Sequence, residues 1–149
     1  MKALIQRVSK ASVKIKKKNY SFIGRGMVVF LGINKKDSEK DVEQLSNKIL
    51  NLRIFPDNKN KMNYSIKDIQ GEVLLISQFT LYADCKKGNR PSFVNAANAT
   101  KAKPLYDLFV QHLNSKNISI KTGIFKEEMD IELINKGPVT IMLKSKDEK

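Results

Sequence analysis

The stretch Val73-Leu74-Leu75-Ile76-Ser77-Gln78-Phe79-Thr80 runs four apolar residues straight into a segment carrying two hydroxyls and an amide. Four apolar residues without alternation mark a strand covered on both faces, as in parallel sheets. Such sheets need helical crossovers, and they bind ligands where their strands end. The polar residues therefore fall where a ligand is expected. By strand alternation, Ser77 and Phe79 share one side and Gln78 and Thr80 the other. Two uses for them are open: satisfying loose backbone groups at a strand end, or binding a carbonyl or developing oxyanion with groups that do not titrate.

The same reading extends outward. Met27-Val28-Val29-Phe30-Leu31-Gly32-Ile33, opened by Gly24 and Gly26, predicts a central strand. The glycine spacing does not match a phosphate-cradling fingerprint. Leu4-Ile5-Gln6-Arg7-Val8 and Val13-Lys14-Ile15 predict a hairpin-like pair with Lys16-Lys17-Lys18-Asn19 as its solvated turn. From residue 37, Val42, Leu45, Ile49 and Leu52 recur at helical spacing, and Ser38 with Asp41 predicts a capping box. Pro56-Asp57-Asn58-Lys59-Asn60 reads as a loop. A second amphipathic helix is expected over residues 100–116, with Leu105, Leu108, Phe109 and Leu113 on one face. Ile118-Ser119-Ile120, Met129-Asp130-Ile131-Glu132-Leu133 and Val139-Thr140-Ile141-Met142-Leu143 alternate as half-buried strands, and residues 144–149 are expected to fray. The sum is an α/β chain. It predicts one compact domain over residues 1–149, with β-rich mixed sheets, barrel-like or two-sheet, and two amphipathic helices packed on one side.

Composition bounds the function. The 149 residues carry 28 Lys and Arg against 15 Asp and Glu, a net charge of +13. A field of that sign draws polyanions, although lysine enrichment also serves simply to solvate a surface. Cys85 alone cannot form an internal disulfide. No apolar run reaches the roughly 20 residues of a membrane span, and the start MKALIQRV forms no signal-peptide core. A cytoplasmic protein with no membrane association is expected. His112 is the sole histidine and falls beside an apolar helical stripe. A Ser-His-Asp or Cys-His hydrolase needs a base beside its nucleophile, and a zinc site needs a cluster of ligands. Neither pattern is present. No metal and no cofactor are expected.

Three stretches then carry a resemblance. Ser77-Gln78-Phe79-Thr80-Leu81, Lys87-Gly88-Asn89-Arg90-Pro91-Ser92-Phe93 and Asn135-Lys136-Gly137-Pro138-Val139-Thr140 are similar to the signatures of the D-aminoacyl-tRNA deacylases. Ala3-Leu4-Ile5-Gln6-Arg7-Val8, Ala11-Ser12-Val13 and Leu52-Arg53-Ile54-Phe55 resemble the same family, in the same order along residues 1–143. The resemblance implies an esterase that releases D-amino acids from tRNA, and also glycine mischarged on tRNA(Ala). It implies a homodimer in which the Gly137-Pro138 segment, with a cis peptide bond, completes the partner's site and rejects L-amino acids. Catalysis would be assisted by the tRNA 2′-hydroxyl. Thr80 would lie near the scissile carbonyl, with the backbone of Phe79 and Thr80 stabilising the oxyanion. Ser77 and Gln78 would shape the pocket, and Phe79 would stack on adenine or pack in the core. Gly137, Pro138, Asn135 and Met129 would bind the aminoacyl group, and Lys86, Lys87 and Arg90 would face the tRNA. Cys85 and Lys136 depart from the family's commoner residues at variable positions. The alternative from another class is a basic RNA- or DNA-binding module without chemistry.

Overall fold

A computed structural model describes residues 1–146. Strand β1 (Lys2–Ile15) turns at Lys16 and Lys17, both at positive φ, into β2 (Lys18–Ile23). Then come β3 (Gly26–Gly32), α1 (Glu39–Leu50), the short pair β4 (Phe55–Pro56) and β5 (Met62–Tyr64), and β6 (Glu72–Ser77). A 3-10 turn (Phe79–Tyr82), α2 (Ala99–Asn114), β7 (Ser119–Thr122) and β8 (Asp130–Lys144) complete the chain. The main sheet has the order β2-β1-β3-β6-β7, with β8 on the other edge of β1. The β3–β6 and β6–β7 pairs are parallel. Each of these connections carries one helix, as a parallel crossover requires.

The apolar run of β6 is buried on both sides, as its sequence demands. Val73 and Leu75 face a core shared with Val42, Leu45 and Ile49 of α1 and with Leu105, Phe109 and Leu113 of α2. Leu74 and Ile76 face a second core with Val8, Ala11, Val13, Ile23 and Val28. The sheet curls around that second core, and Ser21 Oγ of β2 donates to Thr122 O of β7 at 2.9 Å. This nearly closes a barrel, with both helices on its outer side. The buried Tyr106 hydroxyl of α2 donates to Leu75 O at 2.9 Å, and burial, helped by the nearby Asp107 charge, raises its pKa above the usual phenol value.

Two expectations are corrected. Leu4-to-Val8 and Val13-to-Ile15 are not a hairpin pair but parts of the single strand β1, whose hairpin partner is β2. Irregular register beside Val8 switches the buried side, so that Ala3 and Ile5 feed one core while Ala11 and Val13 feed the other. Residues 131–133 and 139–143 likewise belong to one strand, β8. Nor do Lys144 to Lys146 fray: Lys144 ends β8, and Ser145 N donates to Met1 O at 3.0 Å. Residues 147–149 lie outside the described residues.

The capping box at α1 forms as read, with Ser38 N donating to Asp41 Oδ2 at 2.9 Å. Asp41 also accepts from Ser145 Oγ at 2.6 Å and pairs with Lys146 at 3.1 Å. Burial alone would raise its pKa, but the hydrogen bonds from Ser145, Ser38 and Lys146 outweigh it and hold the carboxyl well below the usual range. Its folded pKa thus lies below its unfolded one. Its stabilisation is complete above the unfolded value of about 3.9 and fades as pH falls below that. Asp41→Asn is expected to cost about 1–3 kcal/mol at pH 7. In thermal unfolding, the gap between variant and parent should narrow as pH drops below about 4.

Candidate active site

At the carboxyl ends of the parallel strands lies a cleft of about 450 Å³. β6 delivers Ser77 to its wall, where Ser77 pairs in register with Leu31 of β3. The next residue, Gln78, donates its backbone N–H to Leu31 O at 2.8 Å and then leaves the strand for the 3-10 turn. This overturns the simple alternation expected for residues 77–80. Gln78 and Thr80 nevertheless meet, because Gln78 Nε2 donates to Thr80 Oγ1 at 2.6 Å. The leading N–H groups of such a turn have no partner inside it, which leaves those of Phe79 and Thr80 available to a ligand oxygen. Gly32 makes the turn possible: a Cβ there would meet Gln78 O and Leu81 Cβ at 3.1 Å.

Phe79 is 57% exposed and stands edge-on to Phe93, with ring centroids 5.0 Å apart. So costly an exposure does not fit core packing, which leaves the stacking role open. Met129 also lines the cleft, and its Sδ packs where a Cβ on Gly123 would stand. Ala97, Ala99 and Ala102, at and before the start of α2, keep the cleft roomy. Ser77, Gln78, Phe79 and Met129 are thus brought together, with Thr80 tied to them through Gln78.

Asn135, Gly137 and Pro138 lie elsewhere and do not line the cleft. In the β1–β8 register Gln6 pairs with Thr140 and Val8 with Asn135, so residues 136–139 bulge out opposite Arg7 alone. The Gly137-Pro138 bond is cis, and Gly137 has φ +136°. Both residues are exposed. Arg7 Nε donates to Lys136 O at 2.8 Å while Nη1 donates to Ile54 O at 2.6 Å. Asn135 Oδ1 accepts from Val139 N at 2.8 Å, and its Nδ2 donates to Thr140 Oγ1 at 2.8 Å. The bulge is therefore exposed yet fixed at both ends.

Lys86, Lys87 and Arg90 occupy an exposed loop closed by reciprocal backbone bonds between Asp84 and Ser92, at 2.8 and 2.9 Å. Among the described residues, no helix is long and apolar enough to cross a membrane.

Residues 4–144 match the model of the D-Tyr-tRNA(Tyr) deacylase family. The chain belongs to that family. A D-aminoacyl-tRNA deacylase of Thermodesulfovibrio yellowstonii is 54% identical over 146 residues, covering 98% of this chain and 100% of the relative. One from Aquifex aeolicus is 50% identical over 147 residues, covering 99% of each. A solved structure, c-Myc DNA Unwinding Element Binding Protein, superposes with a TM-score of 0.93 at 42% identity, covering 99% of this chain and 100% of that one. A second, described as "a probable eukaryotic D-amino acid tRNA deacylase", shares the fold with a TM-score of 0.82 at 16% identity, covering 95% and 97%.

In this deacylase the sequence reading passed over two residues that the geometry brings forward. Arg7 fixes the carbonyl preceding Gly137, and only its distant pairing with β8 reveals this. Phe125, packed at 5.7 Å against Tyr106, walls the cleft from a segment with no periodic pattern. The deacylase's His112 sits between the helices, with Nδ1 3.2 Å from Ser46 Oγ, and does not line the cleft.

Proposed function

We propose that the protein hydrolyses the ester joining a D-amino acid, or glycine carried by tRNA(Ala), to the terminal adenosine of tRNA, releasing free amino acid and tRNA. Residues 1–149 act as one deacylase domain, as a homodimer, in the cytoplasm, without metal or cofactor. The observation that carries this reading is the separation of two built motifs: an open cleft lined by Ser77, Gln78, Phe79 and Met129, and a fixed, exposed Gly137-Pro138 bulge that does not reach it.

In this reading the bulge of one subunit enters the cleft of the other. Its main-chain carbonyls accept hydrogen bonds from the α-ammonium of the aminoacyl group. With that group anchored, an L side chain runs into backbone, whereas a D side chain points outward, and selection works by exclusion. Glycine has nothing to exclude and passes. Asn135 holds the bulge, Met129 lines the aminoacyl pocket, and Phe79 stacks on the terminal adenine. The ester carbonyl lies near Thr80, and the N–H groups of Phe79 and Thr80 stabilise the tetrahedral oxyanion. Ser77 and Gln78 shape the pocket, Gln78 by orienting the Thr80 hydroxyl. The 2′-hydroxyl of the adenosine assists the attacking water. Lys86, Lys87 and Arg90 meet the phosphates of the tRNA.

Purified protein should release D-tyrosine from D-tyrosyl-tRNA and leave L-tyrosyl-tRNA at its background rate. Equal rates on both substrates overturn chiral selection. The description of the 42% identical structure as a DNA-element-binding protein favours a second reading, nucleic-acid binding without chemistry. Binding with no release from either substrate would support it.

A further inference from the structure

At the tip of the β1–β2 hairpin, Ile15 pairs with Lys18, so Lys16 and Lys17 alone make the turn, at φ +49° and +64°. Asn-Gly fills a two-residue turn with both residues left-handed at least cost, whereas a lysine enters it against strain. Lys16, Lys17 and Lys18 are all exposed. Lys14 is paired with Glu132 at 2.7 Å, but among the described residues no carboxylate pairs with the three lysines of the tip. Lysine kept where the backbone disfavours it points to a use for the charge.

Two exposed rings follow on β2. Tyr20 is 51% and Phe22 59% exposed, which leaves much of their apolar area in water. Tyr20 lines an outer groove of about 500 Å³ together with Gly123, Ile124 and Phe125. Phe125 also walls the candidate active-site cleft, and Ser21 Oγ ties this part of β2 to Thr122 O at 2.9 Å. Strand register sets Lys14 opposite Asp130, the residue after Met129 of the cleft. The lysine tip and the Tyr20 ring therefore flank the cleft wall on its outer side. A ring with a free face beside a run of cations suits single-stranded nucleic acid, with a base on the ring and phosphates on the ammonium groups.

We propose that Lys16, Lys17, Lys18 and Tyr20 form a further contact surface for the tRNA substrate, holding its phosphate backbone and one unstacked base beyond the esterified adenosine. The proposal rests on the function given above and deepens it, because it names where the polynucleotide runs once it leaves the cleft past Phe125. None of the four residues lines the cleft, so the surface governs affinity and not the chemical step.

The test gives the turn the residues it prefers, in the double variant Lys16→Asn, Lys17→Gly. Thermal unfolding should then occur at or above the parent temperature. On whole D-tyrosyl-tRNA, KM should nonetheless rise about tenfold with kcat unchanged, and the slope of log KM against log salt should flatten by about 0.7–0.9 for each lysine removed. On D-tyrosyl-adenosine, which has no phosphate, variant and parent should behave alike. Lys16→Arg with Lys17→Arg, which keeps the charge, should keep the parent KM. Tyr20→Leu should raise KM on the tRNA about tenfold, and Tyr20→Phe should not. An unchanged KM and salt slope in the first variant would overturn the proposal and leave the lysines a solvated turn. An equal loss on both substrates would overturn it too. A parent that releases nothing from either substrate overturns the deacylase reading instead. The affinity of the same proteins for uncharged tRNA, measured by fluorescence anisotropy, then decides the proposal, which fails if the first variant binds as tightly as the parent.

Discussion

D-tyrosyl-tRNA whose terminal adenosine carries hydrogen in place of the 2′-hydroxyl should be deacylated about 10²- to 10⁴-fold more slowly than the ordinary substrate, the range expected for losing a positioned acid–base group. The side chains at the carboxyl end of β6 are Ser77, Gln78 and, through Gln78, Thr80, whose hydroxyl and amide groups hydrogen-bond but do not titrate near neutrality. His112 is committed to the helix interface beside Ser46, and Cys85 lies in the exposed loop. Neither lines the cleft. Glu127 lines it, and it supplies the control. Glu127→Gln should leave the rate on the ordinary substrate within a few-fold. A 2′-deoxy substrate cleaved at the ordinary rate, together with an inactive Glu127→Gln variant, would assign the base to the protein.

The second large effect is expected at Gly137. Its φ of +136° disfavours any side chain, and a Cβ there would meet Arg7 Nη2 at 2.8 Å and Val139 Cγ2 at 2.9 Å. Gly137→Val therefore cannot leave the bulge in place: either Arg7 yields its hold on Lys136 O or the backbone turns. A shift of about 1 Å in a positioning group costs on the order of 100-fold. On the proposed selection by exclusion, the loss should appear in the ratio of rates on D- and L-tyrosyl-tRNA. Gly137 is exposed and outside both apolar cores, so the fold should survive. An unchanged ratio would remove the bulge from the account.

Much of this architecture was legible in the residues. The unbroken apolar runs of β3 and β6 required cover on both faces, and two cores supply it. Ser38 and Asp41 marked the start of α1 because the capping box is a local device. Strand continuity was less visible. Residues 9 and 10 interrupt the apolar pattern of β1 because a register shift changes which side is buried, and alternation assumes it does not. The bulge hid the continuity of β8 in the same way. At the site, Gln78 and Thr80 were recognisable as polar groups at a strand end. Their contact depends on a 3-10 turn that Gly32 permits from another strand. The grip of Arg7 on Lys136 joins residues from opposite ends of the chain, and no local pattern announces it.

The central claim is that cleft and bulge act across subunits, and mixing two defective proteins tests it most directly. One carries Met129→Trp, which fills the cleft and leaves the bulge intact; the other carries Gly137→Val, which spoils the bulge and leaves the cleft intact. In a two-fold dimer formed from one of each, one site combines both defects and the other combines neither. Unfolded and refolded together, the pair should recover D-selective deacylation to about a quarter of the parent rate, since half the dimers are mixed and each holds one sound site. No recovery in a mixture whose dimers have demonstrably exchanged subunits would contradict the claim.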